Sequence, residues 1–121
     1  MNERKRQDLK VRTKAYALRI VRLYVALPKR AEAQVLGKQL LRSGTSVGAH
    51  YREAFRAKSD ADFISKIEGA LQELEESTYW LELLRDLDVV ACARLEPLLK
   101  ETNELTAIFV TIVRNTKSRD A

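Results

Sequence analysis

Apolar residues recur along the chain at steps of three and four, the repeat of one helix face. In the first such run Leu9, Thr13, Tyr16, Ile20, Leu23, Tyr24 and Leu27 predict a helix over about residues 9–27, which Pro28 ends. Pro28-Lys29-Arg30 then makes a short basic connection. Leu36, Leu40, Ser43, Val47, Tyr51 and Ala54 predict a second helix over about 31–57. Ser59 is a good cap for a third over about 59–87, with Asp60 and Asp62 complementing the positive end of its dipole. Its apolar stripe is Phe63, Ile67, Ala70, Leu74, Ser77, Leu81 and Leu84, while Glu68, Glu75 and Glu82 repeat every seven residues on another face. After a turn at Asp88 to Cys92, Leu95, Leu98, Thr102, Leu105, Phe109 and Ile112 predict a fourth helix over about 92–114, with Pro97 in its first turns. The tail from Asn115 to Ala121 lacks apolar residues and is expected to fray. Four helices joined by short loops imply an all-α fold, an antiparallel up-down-up-down four-helix bundle forming one domain over residues 1–121.

The middle of the second helix is poor in helix formers, running Ser43-Gly44-Thr45-Ser46-Val47-Gly48. Each glycine costs about 1 kcal/mol relative to alanine in a helix, so packing must hold the segment. Gly37, Gly44 and Gly48 fall on one side of the helix, which would let a neighbouring helix come close. The alternative is a break at Gly44 that makes two shorter helices. The Gly-Thr-Ser run has neither the spacing of a phosphate-cradling loop nor a strand before it.

Composition narrows the chemistry. At 45% hydrophobic and 32% charged residues the chain is globular, and four glycines and two prolines are too few for an all-β fold. The charged opening Met1-Asn2-Glu3-Arg4-Lys5-Arg6 leads into no apolar core of a secretory signal, and no run approaches the ~18 apolar residues of a membrane span. A cytoplasmic protein without a membrane partner is expected. Cys92 is the only cysteine and His50 the only histidine, leaving little for a first-row metal site or for Ser-His-Asp chemistry. His50 lies beside the core line with no acid or nucleophile placed with it. No enzyme activity, cofactor or metal is expected.

Charge is where the sequence is most informative. Residues 1–58 hold 15 Lys/Arg against 4 Asp/Glu, net +11, and residues 59–121 hold 7 against 13, net −6. Such a split suits a polyanion-binding face, or head-to-tail contact between copies through complementary surfaces. On the second helix Lys38, Arg42, Arg52 and Arg56 lie within about 40° of one line on a 100° wheel, opposite the apolar face. Cations spaced this way suit phosphate contacts, which supply affinity without base choice. The competing reading is a solvated face, or one neutralised by the acidic third helix of the same or another subunit. On the first helix Arg12, Arg19 and Lys5 fall on one side, with Arg22 somewhat off it, and would extend the surface if the two helices lie side by side. Tyr79-Trp80 suits either a stacking platform for bases or, more commonly, a core or interface anchor.

The segments Leu9 to Ala15, Leu27-Pro28-Lys29, Gln39 to Ala54, Asp62 to Ile67 and Thr78 to Leu84 resemble a family of bacterial four-helix bundles. It is named for open reading frames in the intervening sequences of 23S ribosomal RNA. Arg42-Ser43-Gly44-Thr45-Ser46-Val47-Gly48-Ala49 is the most specific stretch; His50 departs from the Asn of many members. The resemblance implies a homopentameric ring and reaches more distantly to accessory proteins of diversity-generating retroelements. Those relatives look like basic barrels that bind nucleic acid and a reverse transcriptase. The expectation is therefore a homo-oligomeric nucleic-acid-binding accessory protein, with structured RNA as its ligand and a reverse-transcriptase-like protein as a further candidate partner. The competing expectation is a scaffold or adaptor whose charged faces serve self-assembly and protein partners only.

Overall fold

A computed structural model describes residues 1–120. Four helices follow one another, α1 (Glu3–Ala26), α2 (Ala31–Ala54), α3 (Asp60–Asp86) and α4 (Cys92–Asp120), with no strand among the described residues. Each packs on its neighbour in sequence, and α4 closes back on α1, giving an all-α antiparallel four-helix bundle. The expected apolar faces meet inside it: Tyr16, Ile20, Leu40, Val47, Tyr51, Ile67, Leu74, Leu81, Leu95, Leu105 and Phe109 are all 0–1% exposed.

Buried hydroxyls pair across this core. Tyr16 Oη lies 2.7 Å from Thr102 Oγ1, and Ser43 Oγ lies 2.8 Å from Ser77 Oγ. The first pair joins α1 to α4 and the second α2 to α3, so polar atoms that would be costly to bury alone satisfy one another.

α2 is unbroken at Gly44. Its glycines face α1, because a Cβ on Gly44 would sit 2.8 Å from Ile20 Cγ1 and one on Gly48 would sit 3.3 Å from Thr13 Oγ1. At Gly37 an added Cβ would collide with Leu27 Cδ1. Side-chain hydroxyls settle the rest of the weak stretch: Thr45 donates to the Leu41 carbonyl and Ser46 to that of Arg42, both at 2.7 Å. Close packing thus compensates the poor helix propensity.

The ends differ from expectation in three places. α1 begins at Glu3 instead of Leu9, since Asn2 caps it by accepting from the Lys5 amide at 2.9 Å. That turn carries no apolar stripe and was invisible to periodicity. α2 stops at Ala54, and residues 55–57 form turns in which the Phe55, Arg56 and Ala57 amides bond the Arg52, Glu53 and Ala54 carbonyls. The tail does not fray through Asp120; Ala121 lies outside the described residues. Thr116 is buried and donates to Ile112, and Arg119 reaches Asp60 at 3.3 Å, tying the end of α4 to the start of α3. α3 ends in a Schellman turn, the Val89 amide bonding Leu84 and that of Asp88 bonding Arg85. Asp88 takes the left-handed position there, at φ 53°, where glycine is usual.

The glycine contact makes a sharp prediction. Gly44→Ala should overpack Ile20 at about 1–3 kcal/mol, partly offset by about 1 kcal/mol of helix propensity. A thermal melt should fall by several degrees, the fall should be smaller in an Ile20→Ala background, which lacks the Cγ atoms that the new methyl meets, and Gly48→Ala, whose new methyl meets less crowding, should change it little.

Candidate nucleic-acid interface

With its glycines against α1 and Ser43 against α3, α2 has one face left for solvent. Lys38, Arg42 and Arg52 are exposed along it, and Arg56 is exposed in the turn just past its C-terminus. Lys38, Arg52 and Arg56 form no ion pair among the described residues. Arg42 Nη2 lies 3.5 Å from Glu76 Oε1. Burial, then the neighbouring carboxylate of Glu73, push the Glu76 carboxyl above its ordinary range. The line is thus basic and open at three of its four cations.

α1 contributes differently from the sequence expectation. Arg12 points to α4, where Nε and Nη2 grip Glu101 at 2.8 and 2.7 Å and Nη2 also meets Glu104 at 3.1 Å. The hydrogen bonds to Glu101 lead the effects that raise its pKa further, locking the charge in place. Arg19, seven residues on, shares that α4-facing side and is half-buried, while Arg22 is exposed. Neither Arg12 nor Arg19 is drawn beside the α2 line. Arg6 and Lys10 are, because they share with Arg52 and Arg56 a shallow depression of about 570 Å³, with Glu3 and Glu53 at its margin. Glu3 pairs with Arg6 at 3.3 Å and Glu53 with Lys66 at 3.5 Å, leaving Lys10, Arg52 and Arg56 uncompensated. The four-residue step from Arg6 to Lys10, continued by Lys14, was the available signal for this side of α1.

The other candidates resolve by contact. Tyr79 and Trp80 lie 5.2 Å apart between ring centroids, but Trp80 packs against the core and Tyr79 alone is exposed. The half-buried His50 packs over Gly69 with Nδ1 3.8 Å from Glu53 Oε2. Glu68 faces Lys117 of α4 at 3.9 Å, so part of the acidic repeat answers a cation of its own subunit. Among the described residues no group of three His, Cys, Asp or Glu could hold a metal ion, and no helix is long and apolar enough to cross a membrane.

Truncating the α1–α4 clamp should separate stability from binding. Arg12→Ala should cost about 1–2 kcal/mol after discounting for its partial exposure, read as a lower melting temperature. Its effect on polyanion affinity should be small beside that of Arg52→Ala.

The sequence model described as 23S rRNA-intervening sequence protein matches residues 7–111. A crystal structure from Bacteroides thetaiotaomicron, described as a protein with unknown function from the S23 ribosomal protein family, is 39% identical. It superposes with a TM-score of 0.85 over 91% of this chain and 98% of that one. No curated protein matches.

Proposed function

The chain belongs to the 23S rRNA-intervening sequence protein family, and on that premise we propose that it is a homo-oligomeric, non-enzymatic accessory protein of the bacterial cytoplasm that binds nucleic acid, structured RNA in preference. The observation that carries this reading is the open basic line of α2, joined at its C-terminal end by Arg6 and Lys10 of α1. Phosphates spaced along a folded RNA meet cations on such a surface without meeting a carboxylate on the same line. Repeated copies of the surface in an assembly multiply a weak contact.

Support for self-assembly comes from the outward face of α1. Val11, Leu18 and Val25 stand seven residues apart and are 62%, 43% and 74% exposed, and Val21 adds to the same stripe at 37%. An apolar stripe turned away from its own core is what a helix presents to another protein surface. The same stripe favours the second reading, a scaffold that uses its faces for protein partners only.

Binding to a structured RNA across a salt series, followed by fluorescence anisotropy, separates the two. Micromolar or tighter affinity that falls steeply with salt is expected. Replacing Lys38, Arg42, Arg52 and Arg56 together by alanine should lower the affinity and flatten the log–log salt slope by about 3. Unchanged binding would sink the assignment, and no binding at low salt would leave the scaffold.

Light scattering tests the assembly. Leu18→Glu places a charge in the α1 stripe without touching the core, and should reduce the oligomer to smaller species while circular dichroism keeps its helical signal.

A further inference from the structure

Resting on that reading, we propose that the groove between α1 and α4, at the end of the bundle nearest the α2–α3 turn, receives one unpaired nucleotide of the bound RNA. Above this end Arg12 and Tyr16 hold α1 to α4 through Glu101 and Thr102. Below it the two helices leave a groove of about 970 Å³ floored by the turn. Leu9, Phe55, Phe63, Ile108 and Ile112 give it apolar walls, and Phe55, Phe63, Ile108 and Ile112 are half-buried, reached from solvent but packed on the core.

Three features select a base over other apolar occupants. The walls are aromatic at the turn, Phe55 and Phe63 meeting edge to face with centroids 5.8 Å apart. The Arg6 guanidinium carbon sits 4.0 Å above the Phe55 ring, and an arginine carried on an aromatic ring is itself a surface on which bases stack. The rim is cationic on balance, with exposed Lys5 and Lys58 beside Arg6 against Asp8, and with Asp60 paired to Arg119, so it suits an apolar ring that carries a phosphate.

Continuity fixes the route. Arg6 and Phe55 line both this groove and the shallow depression that holds Lys10, Arg52 and Arg56. A strand whose phosphates follow the basic line therefore crosses the Arg6–Phe55 ridge and arrives at the groove with its next base. A paired base cannot enter, since duplex stacking keeps both its faces covered; a bulged or looped one has already left the stack. The groove would thus supply what phosphate contacts lack, a preference for RNA with an unpaired position.

The experiment uses the full chain in its assembled form and two RNA hairpins that differ only by one bulged nucleotide, with 4-thiouridine at the bulge and at the matching paired position. The bulged hairpin should bind about tenfold more tightly, the scale of one base–aromatic stack. On irradiation its thiouridine should crosslink to peptides spanning 54–63 or 107–116. Phe63→Leu, which keeps an apolar side chain, and the surface change Lys58→Glu should each erase the preference and the crosslink. Equal affinity for the two hairpins, or a preference that survives both variants, would overturn the groove assignment while leaving the basic face intact. Failure of both hairpins to bind at low salt would instead overturn the nucleic-acid reading on which it rests.

Discussion

The close approach of α1 and α2 through Gly37, Gly44 and Gly48 is the constraint from which the rest of the surface follows. Ile20, Thr13 and Leu27 occupy the space where glycine side chains would be, so α2 cannot rotate about its axis without a collision. That rotational lock brings Ser43 to Ser77 on one side and turns Lys38, Arg42 and Arg52 outward on the other. A segment that looks weak by helix propensity alone is therefore the one that orients the basic line. Its small residues serve the approach, and its hydroxyls fold back on helix carbonyls instead of reaching toward solvent.

Opposite net charges on the two halves of the sequence act first within the subunit. Folding sets α1 and α2 against α3 and α4, and ion pairs cross that boundary at Arg12 with Glu101, Arg42 with Glu76 and Lys66 with Glu53. Only the Arg12 pair combines bidentate geometry with appreciable burial, so it adds rigidity where the exposed pairs add little. What remains after this internal matching is a positive excess on the α2 face and its junction with α1. The sequence-wide charge split thus overstates the surface imbalance, and the lack of an ion-pair partner for Lys38, Arg52 and Arg56 among the described residues is the more discriminating observation.

Much of this was legible in residue order. The apolar stripes of all four helices, the cap at Ser59, and the one-sided set of glycines each had a short-range physical signature, and each reappears in the fold. The end of α4 was not legible because what orders it is non-local: Arg119 and Lys117 depend on Asp60 and Glu68, about 50 to 60 residues away in sequence. The same limit applies to the α1 cations. A helical wheel groups Arg12 with Arg19, but which neighbour that side meets depends on the handedness and order of the bundle, and it meets α4. Arg6 and Lys10, on the other flank, gained their place only when α2 was packed beside them.

The two candidate surfaces of α1 also constrain each other. Arg6 lies roughly 100–140° around the helix from Val11, Leu18 and Val25, whereas Lys10 lies about 20° from Val21 of the stripe, so a second subunit on the stripe can leave Arg6 open while bordering Lys10. An assembly built through the stripe would therefore leave each copy's α2 line and the Arg6 edge of its end groove available together. Few uncompensated cations per subunit give a weak contact alone, since phosphate contacts are screened at physiological ionic strength. Linked copies raise the effective concentration of the next contact without any new chemistry, provided the ligand can span them. A folded RNA can do this, because its phosphates are held at fixed spacing and its unpaired positions are held apart from its helices. In the proposed reading oligomerisation and RNA structure would be two halves of one requirement: the subunit would supply a short basic line, and a ligand rigid enough to meet several lines at once would convert it into affinity.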